Sequence, residues 1–277
     1  MMRILADNPT LFKGELMKQL EQVESSYWLK YYRANTGLPT FSSVISGGVA
    51  CSIPDLDILA MNRVIGLGLS GTIDRQVLHQ IIHFYKAAGS KRFFIQLPPA
   101  LVADKTQNLL FGEGFKLHNH WTKLYRRVES PEFSADDALS IRQIDKGEAD
   151  NYGQLIFMSF DWEDTRLAAL LASTVGAAGY SHYIVSWQGK DIAAGALFVD
   201  GNMASMAFAG TLASFRGKGA QRLLLRTRMQ KAWELGAKII TAETAEHKDE
   251  KPVTSYLNMI KAGFDIAYQR QNWLFEF

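Results

Sequence analysis

Arg216-Gly217-Lys218-Gly219-Ala220-Gln221 decides the reading of this chain. It lies between a strand-like run at 203–210 and a helix-like run at 221–235. A glycine-rich turn feeding a helix start aims several free backbone N–H groups at one point, and the helix dipole adds partial positive charge there. Arg216, Lys218 and Arg222 add full charges. The combination predicts a cradle for a pyrophosphate, with a plain strand-to-helix turn as the alternative. The spacing is not that of a P-loop, which needs a glycine, four residues and then Gly-Lys-Ser/Thr. It is not the dinucleotide fingerprint either, because Arg222 stands where the third glycine belongs.

The stretch resembles the acyl-CoA pyrophosphate loop of the GNAT superfamily of N-acyltransferases, whose pattern is Arg/Gln-x-x-Gly-x-Gly/Ala. Arg216 and Gly219 match; Gln221 replaces the usual last small residue. Downstream, Ser255-Tyr256-Leu257-Asn258-Met259-Ile260-Lys261-Ala262-Gly263-Phe264 resembles the helix-then-Gly-Phe segment that packs against CoA. Asn272-Trp273 resembles the ending of one uncharacterised bacterial branch. The resemblance covers roughly residues 139–277. It implies an α/β (α+β) fold with a mixed, mostly antiparallel sheet flanked by helices. It also implies acetyl-CoA, or another acyl-CoA, as co-substrate.

By the same resemblance, the strand carrying Phe208, Ala209, Gly210 and Thr211 splays away from the strand at 238–244, and pantetheine lies in the V between them. Arg216, Gly217, Lys218, Gly219, Ala220, Gln221 and Arg222 then hold the pyrophosphate, and Ser255 and Asn258 border the cofactor. The small residues Ala207, Ala209 and Gly210 allow close approach.

Composition bounds the alternatives. The chain has 277 residues, enough for one large domain or two of ordinary size. Its net charge of +2 gives no global field for nucleic acid. One cysteine, Cys51, excludes an intrachain disulfide framework and fits a reducing, cytoplasmic setting. The first 20 residues lack the apolar core of a signal peptide and read as helical and charged. No apolar run approaches the roughly 20 residues of a membrane span.

The second half reads as a series of elements. A strand at 141–144 precedes helical periodicity at 146–158 and 164–173. Strands follow at 180–187 and 192–199, joined by a turn at 188–191. After the glycine loop, Leu225, Met229 and Ala232 share a helix face, and Gly236 ends that helix. A buried strand at 238–244, a polar loop at 245–251, a helix at 254–262 and a strand at 268–277 complete the half.

The first half echoes it. A helix at 74–88 ends at Gly89, a strand follows at 91–97, a helical turn at 107–111 precedes Gly114-Phe115, and a strand spans 120–128. Gly89 and Gly236 recur at nearly the same separation as Gly114-Phe115 and Gly263-Phe264. That order suggests an internal repeat, with coincidence between two α/β segments as the alternative. The expected organisation is tandem: residues 1–130 a degenerate GNAT-like domain, residues 131–277 the acyl-CoA-binding domain, with 129–134 as linker. The first copy carries Leu69-Ser70-Gly71-Thr72-Ile73-Asp74 where the basic loop belongs, with no basic residue. Gly66, Gly68 and Gly71 fit the dinucleotide spacing, but no acidic residue lies between Asp74 and Asp104 to complete it. The first copy is therefore not expected to hold CoA.

Acyl transfer from a thioester to an amine needs a base for the ammonium, a donor for the carbonyl oxygen and an acid for the thiolate. A bulge in the strand before the loop supplies the donor. Glu243, at the end of the strand bordering the acyl site, is the leading base; a structural carboxylate is the alternative. Many superfamily members carry a tyrosine acid four residues before the Gly of Gly-Phe. Here that residue is Met259, a thioether with no proton to give. Tyr256 leaves the helix about 60° away and is the candidate acid, beside Ser255, Asn258 and water.

The remaining features read more plainly. Phe157, Phe160 and Trp162 line an acceptor pocket or pack the core. Arg222, Arg226, Arg228 and Lys231 form a basic, mostly solvated helix face, with Arg222 near the loop. His79 and His83 are spaced to share a metal but lack a third ligand; His118, His120 and His247 read as ordinary strand and loop histidines. No metal is expected.

Two functional readings follow. In the first, the protein moves an acetyl group to a primary amine, on a small molecule or a peptide, by direct attack in a ternary complex. In the second, it is a non-catalytic acyl-CoA sensor. Neither involves nucleic acid or membrane, and the oligomeric state is open.

Overall fold

The computed structural model describes residues 9–35, 37–130, 138–160 and 162–277. All its strands join one eleven-stranded sheet. The first half supplies α1 (Pro9–Ala34), β1 (Phe41–Ile45), β2 (Gly48–Ser52), β3 (Arg63–Ile65), α2 (Arg75–Ala88), β4 (Arg92–Leu97), α3 (Asp104–Gly112) and β5 (Lys116–Arg127). The second supplies β6 (Leu139–Ile144), α4 (Ala149–Ser159), α5 (Arg166–Ala172), β7 (Tyr180–Trp187), β8 (Lys190–Asp200) and β9 (Met203–Thr211). It ends with α6 (Ala220–Glu234), β10 (Ile239–Ala245), α7 (Thr254–Lys261) and β11 (Asp265–Glu276). The expected linker falls mostly outside the described residues, at 131–134.

The strand order is β1-β2-β3-β4-β11-β5-β10-β9-β8-β7-β6. Neighbours run antiparallel except β3–β4 and β9–β10. Each parallel pair brackets a helix, α2 in the first half and α6 in the second, and a short helix and a long strand follow each pair. This is the repeat expected from the glycine spacing. Gly89 and Gly236 end the two crossover helices at φ 83° and 81°, a left-handed geometry that glycine reaches without steric cost.

The halves are interlocked. β5 of the first half hydrogen-bonds to β10 and β11 of the second, and β11 hydrogen-bonds to β4 and β5. Each half thus gives its last strand to the other.

Strand alternation sorts the core into two layers. Val49, Cys51, Ile65, Ala196, Phe198 and Ile239 face α1, α4 and α5. Ala50, Val64, Leu197, Ala204 and Ile240 face the opposite way, toward α2, α3, α6 and α7. α1 buries Leu16, Leu20, Val23, Tyr27 and Tyr31, spaced three or four apart along one face. That face also buries Glu21 and Glu24, which need charged partners. The sheet provides them.

Three strands went unread in the sequence: β1, β2 and β3. β2 and β3 are buried on both faces, which masks their alternation, whereas β1 is a largely exposed edge strand with no wholly apolar face to mark it.

Candidate functional site

β9 and β10 pair only over Met203–Ser205 and Ile239–Thr241, then separate. Residues 206–211 and 242–245 diverge beyond that point. Opposite β8, the register of β9 slips: Ala209 faces Gly195, whereas Ala207 faces Ala196, which leaves Phe208 outside the ladder. This is the bulge expected before the loop. Buried groups hold both sides of it. Tyr152 of α4 places its hydroxyl 3.5 Å from the Phe208 carbonyl oxygen. Arg228 of α6 donates from Nη1 to the Ala196 carbonyl at 3.1 Å and from Nε to the Leu224 carbonyl.

The sequence placed Arg228 on a solvated face; it is 1% exposed, and burial lowers its pKa to about 10. It was missed because charge alone marks a helix face as wet, and nothing local shows the sheet beneath it. Burial likewise pushes the Tyr152 hydroxyl well above the usual phenol range.

Thr211 anchors the loop. Its hydroxyl accepts from Gln221 Nε2 at 2.9 Å. Arg216 donates from Nη2 to the Ser159 carbonyl at 3.1 Å, tying the loop to the end of α4. Gly217 takes φ 82° with open space where a side chain would stand. Gly219 takes φ 89° and is the N-cap of α6, with no side-chain cap bond. The helix start is therefore uncapped by its own side chain. Lys218 sits with Nζ 4.1 Å above the ring of Trp187, a cation–π contact. Ala220 is buried, whereas Arg222 is exposed at the head of the helix.

The same position in the first half is closed. Asp74 is the N-cap of α2 and accepts from the Val77 N–H at 2.9 Å. Its carboxylate takes the place an anion would need.

Gly210 is small for a reason the sequence did not show. A Cβ there would come within 2.3 Å of the Ser159 Cβ, so the glycine admits α4. Phe160, 44% exposed, stacks on Trp162 with centroids 4.7 Å apart beside it. Phe157 packs against the main core. Phe208 meets Trp28 and Tyr31 of α1, at 5.7 and 5.5 Å between ring centroids.

Glu243 points to the α1 face. Its Oε1 accepts from Arg63 Nη1 at 2.9 Å, and its Oε2 accepts from Arg270 Nη1. Arg270 also reaches Glu21 and Glu24, and Lys123 pairs with Glu24. Three acids and three bases thus meet under α1. Burial works to raise the Glu24 carboxyl, but Arg270, Lys123 and Arg63 outweigh it and hold the group well below the usual carboxylate range. Burial opposes the charge on Arg270, and Glu21, Glu24 and Glu243 more than restore it. Asn272 is buried and accepts from Gln96 at 2.7 Å.

Tyr256 lies on the other face of the sheet. It stacks on His247 at 4.6 Å and, with Met259, packs against the cluster around Leu225 and Phe264. Ser255 is exposed and Asn258 half-buried on the same short helix. Glu243 and Tyr256 therefore lie on opposite faces of the sheet. Among the described residues, no group of three metal-ligating side chains is found, and no helix is long and apolar enough to cross a membrane.

No family model matches the chain, and no curated protein matches it in sequence. Solved structures do. A GCN5-related N-acetyltransferase from Kribbella flavida superposes with a TM-score of 0.62 at 15% identity, over 92% of this chain and 94% of that one. One from Sphaerobacter thermophilus gives 0.59 at 10% identity, over 83% and 80%. A tandem GNAT protein from the clavulanic acid biosynthesis pathway gives 0.57 at 13% identity, over 83% and 78%. The fold of this chain is that of the GCN5-related N-acetyltransferases, carried in tandem.

Proposed function

We propose that the protein is an acyl-CoA-dependent N-acyltransferase that moves an acetyl group from acetyl-CoA to a primary amine. One observation carries the reading: a splayed strand pair with a bulge at Phe208 leads straight into a glycine-rich turn and a helix whose N-cap, Gly219, supplies no side-chain cap. The first half has the same order of parallel strands around a crossover helix, without a bulge between β2 and β3, and fills its helix start with Asp74.

Residues 216–222 hold the pyrophosphate through backbone N–H groups and the charges of Arg216, Lys218 and Arg222. Phe208, Ala209, Gly210 and Thr211 run along one side of the pantetheine arm, and Ser255 and Asn258 border the other. The amine nitrogen attacks the thioester carbonyl from the α1 face. Backbone N–H groups at the bulge donate to the developing oxyanion. Each oxygen of Glu243 keeps a lone pair beyond its guanidinium bond, so Glu243 takes the amine proton, directly or through water. The C–S bond breaks, and the thiolate is protonated from Tyr256 or solvent. The lone buried Cys51 fits a cytoplasmic setting.

A sensor is the second reading. It is favoured by the double pairing of Glu243 and by Met259 at the tyrosine position. Free-thiol release from acetyl-CoA over a panel of primary amines separates the two. Turnover on any amine supports the enzyme. Binding of acetyl-CoA with no turnover on the whole panel leaves the sensor, and absence of binding ends both.

A further inference from the structure

We infer that the first half completes the acyl-transfer site of the second, with Arg63 as the residue that positions Glu243. The inference rests on the reading of Glu243 as the base.

Arg63 sits on β3, 180 residues before its partner in sequence. Its guanidinium is held by two rings and two acceptors, while its buried Nε has no hydrogen-bond partner among the described residues. The ring of Trp28 lies 4.3 Å from Cζ and that of Trp121 at 5.3 Å. Nη1 donates to Gln96 Oε1 at 2.9 Å and to Glu243 Oε1 at 2.9 Å. Nη2 lies 3.6 Å from Glu24 Oε1. The side chain is 4% exposed. A planar cation over two indole faces and bonded to two acceptors has a restricted direction, so the carboxylate bonded to it is held in direction as well as in charge.

The opposite oxygen of Glu243 meets Arg270, which is itself anchored by Glu21 and Glu24 of α1. Both clamps on the carboxylate therefore depend on the first half. At 13% exposure, Glu243 is the least enclosed carboxylate of the cluster. A degenerate repeat that binds no cofactor of its own has a function here: α1 and β3 aim a residue of the other repeat at the V.

The charged or titratable groups facing Glu243 are Arg63 of β3, Lys123 of β5, Arg270 and Tyr268 of β11, and Glu21 and Glu24 of α1. Removing the Arg63 charge leaves one guanidinium on the carboxylate. The carboxylate then keeps its bond to Arg270 and loses the contact with β3 that sets its direction.

The test is Arg63→Met, Arg63→Lys and Glu243→Gln in the full chain, with kcat and acetyl-CoA KM for each. Arg63→Met is expected to lower kcat about 10- to 100-fold, with acetyl-CoA KM unchanged. Arg63→Lys keeps the charge but not the fork; its kcat falls between the two, with acetyl-CoA KM again unchanged. Should Arg63→Met not fold, Arg63→Lys decides: a kcat equal to the parent overturns the inference. An Arg63→Met variant whose kcat equals the parent's also overturns it, provided Glu243→Gln is impaired. An unimpaired Glu243→Gln instead removes the base reading itself.

Discussion

Asp74 and Gly219 hold the same position in the two repeats, the N-cap of the crossover helix, and do opposite things there. Asp74 turns its carboxylate onto the Val77 N–H; Gly219 has no side chain and leaves the N–H groups of α6 for a ligand. One repeat caps itself and the other can be capped by a phosphate.

The first prediction follows. Acetyl-CoA at 100 times its Kd stabilises the native state by about 2.7 kcal/mol, read as a rise in Tm. Gly219→Asp abolishes that rise, because a carboxylate then occupies the helix start. Gly219→Asn has nearly the same shape and tolerates the left-handed backbone, but carries no charge. It is expected to retain part of the shift. Equal shifts in both variants and the parent would place the cofactor elsewhere.

Titration of the whole chain is expected to give one CoA per chain. Isothermal calorimetry reads the number directly. A value of two would mean that the Asp74 cap does not exclude a second molecule.

The repeat was legible because glycine marks backbone geometry that no other residue takes cheaply. Gly89, Gly114, Gly236 and Gly263 all have positive φ, and their spacing gave the tandem order. The loop was legible for the same reason at Gly217 and Gly219. The interlock was not legible. β5 and β11 read as strands whichever neighbour they choose, because pairing partners at long range leave no local pattern. Arg63 was invisible for a related reason. Its short strand is buried throughout, and its meaning lies in Glu243, far along the chain.

Because of the interlock, residues 1–130 and 131–277 made separately are expected not to fold. The second piece lacks β5, so β10 and β11 lose their shared neighbour and present bare edges. Circular dichroism and melting of each piece, and of the two mixed, check this. A cooperative melt from 131–277 alone would show that the exchanged strand is dispensable.

His182 gives the chain a pH dependence independent of catalysis. It is 2% exposed, and burial lowers its pKa to about 4. Its Nε2 lies 3.1 Å from the Thr174 hydroxyl. The unfolded state, with a histidine pKa of about 6.5, binds the proton first as pH falls. Stability contributed by neutral His182 is therefore complete above about pH 6.5 and lost on descent toward pH 4, by about 3 kcal/mol. Urea melts across that window are expected to show the fall, and His182→Asn to flatten it. An unchanged slope in the variant would assign the titration to another group.

Glu243→Gln bears most directly on mechanism. The glutamine keeps one acceptor oxygen but presents an NH2 group to a guanidinium, two donors face to face at a largely buried site. Some loss of Tm is expected whether or not Glu243 is catalytic, so melting does not discriminate. Turnover does. If Glu243 takes the amine proton, kcat falls by about 10² to 10⁴ while acetyl-CoA affinity stays nearly constant. The deficit shrinks for acceptors whose amines are already neutral at the assay pH, since they have less need of a base. A structural carboxylate gives a different pattern: a loss of the same size for every acceptor, neutral or charged, following the lowered stability. In that case the proton leaves through water, and the ion cluster under α1 serves to join the two repeats.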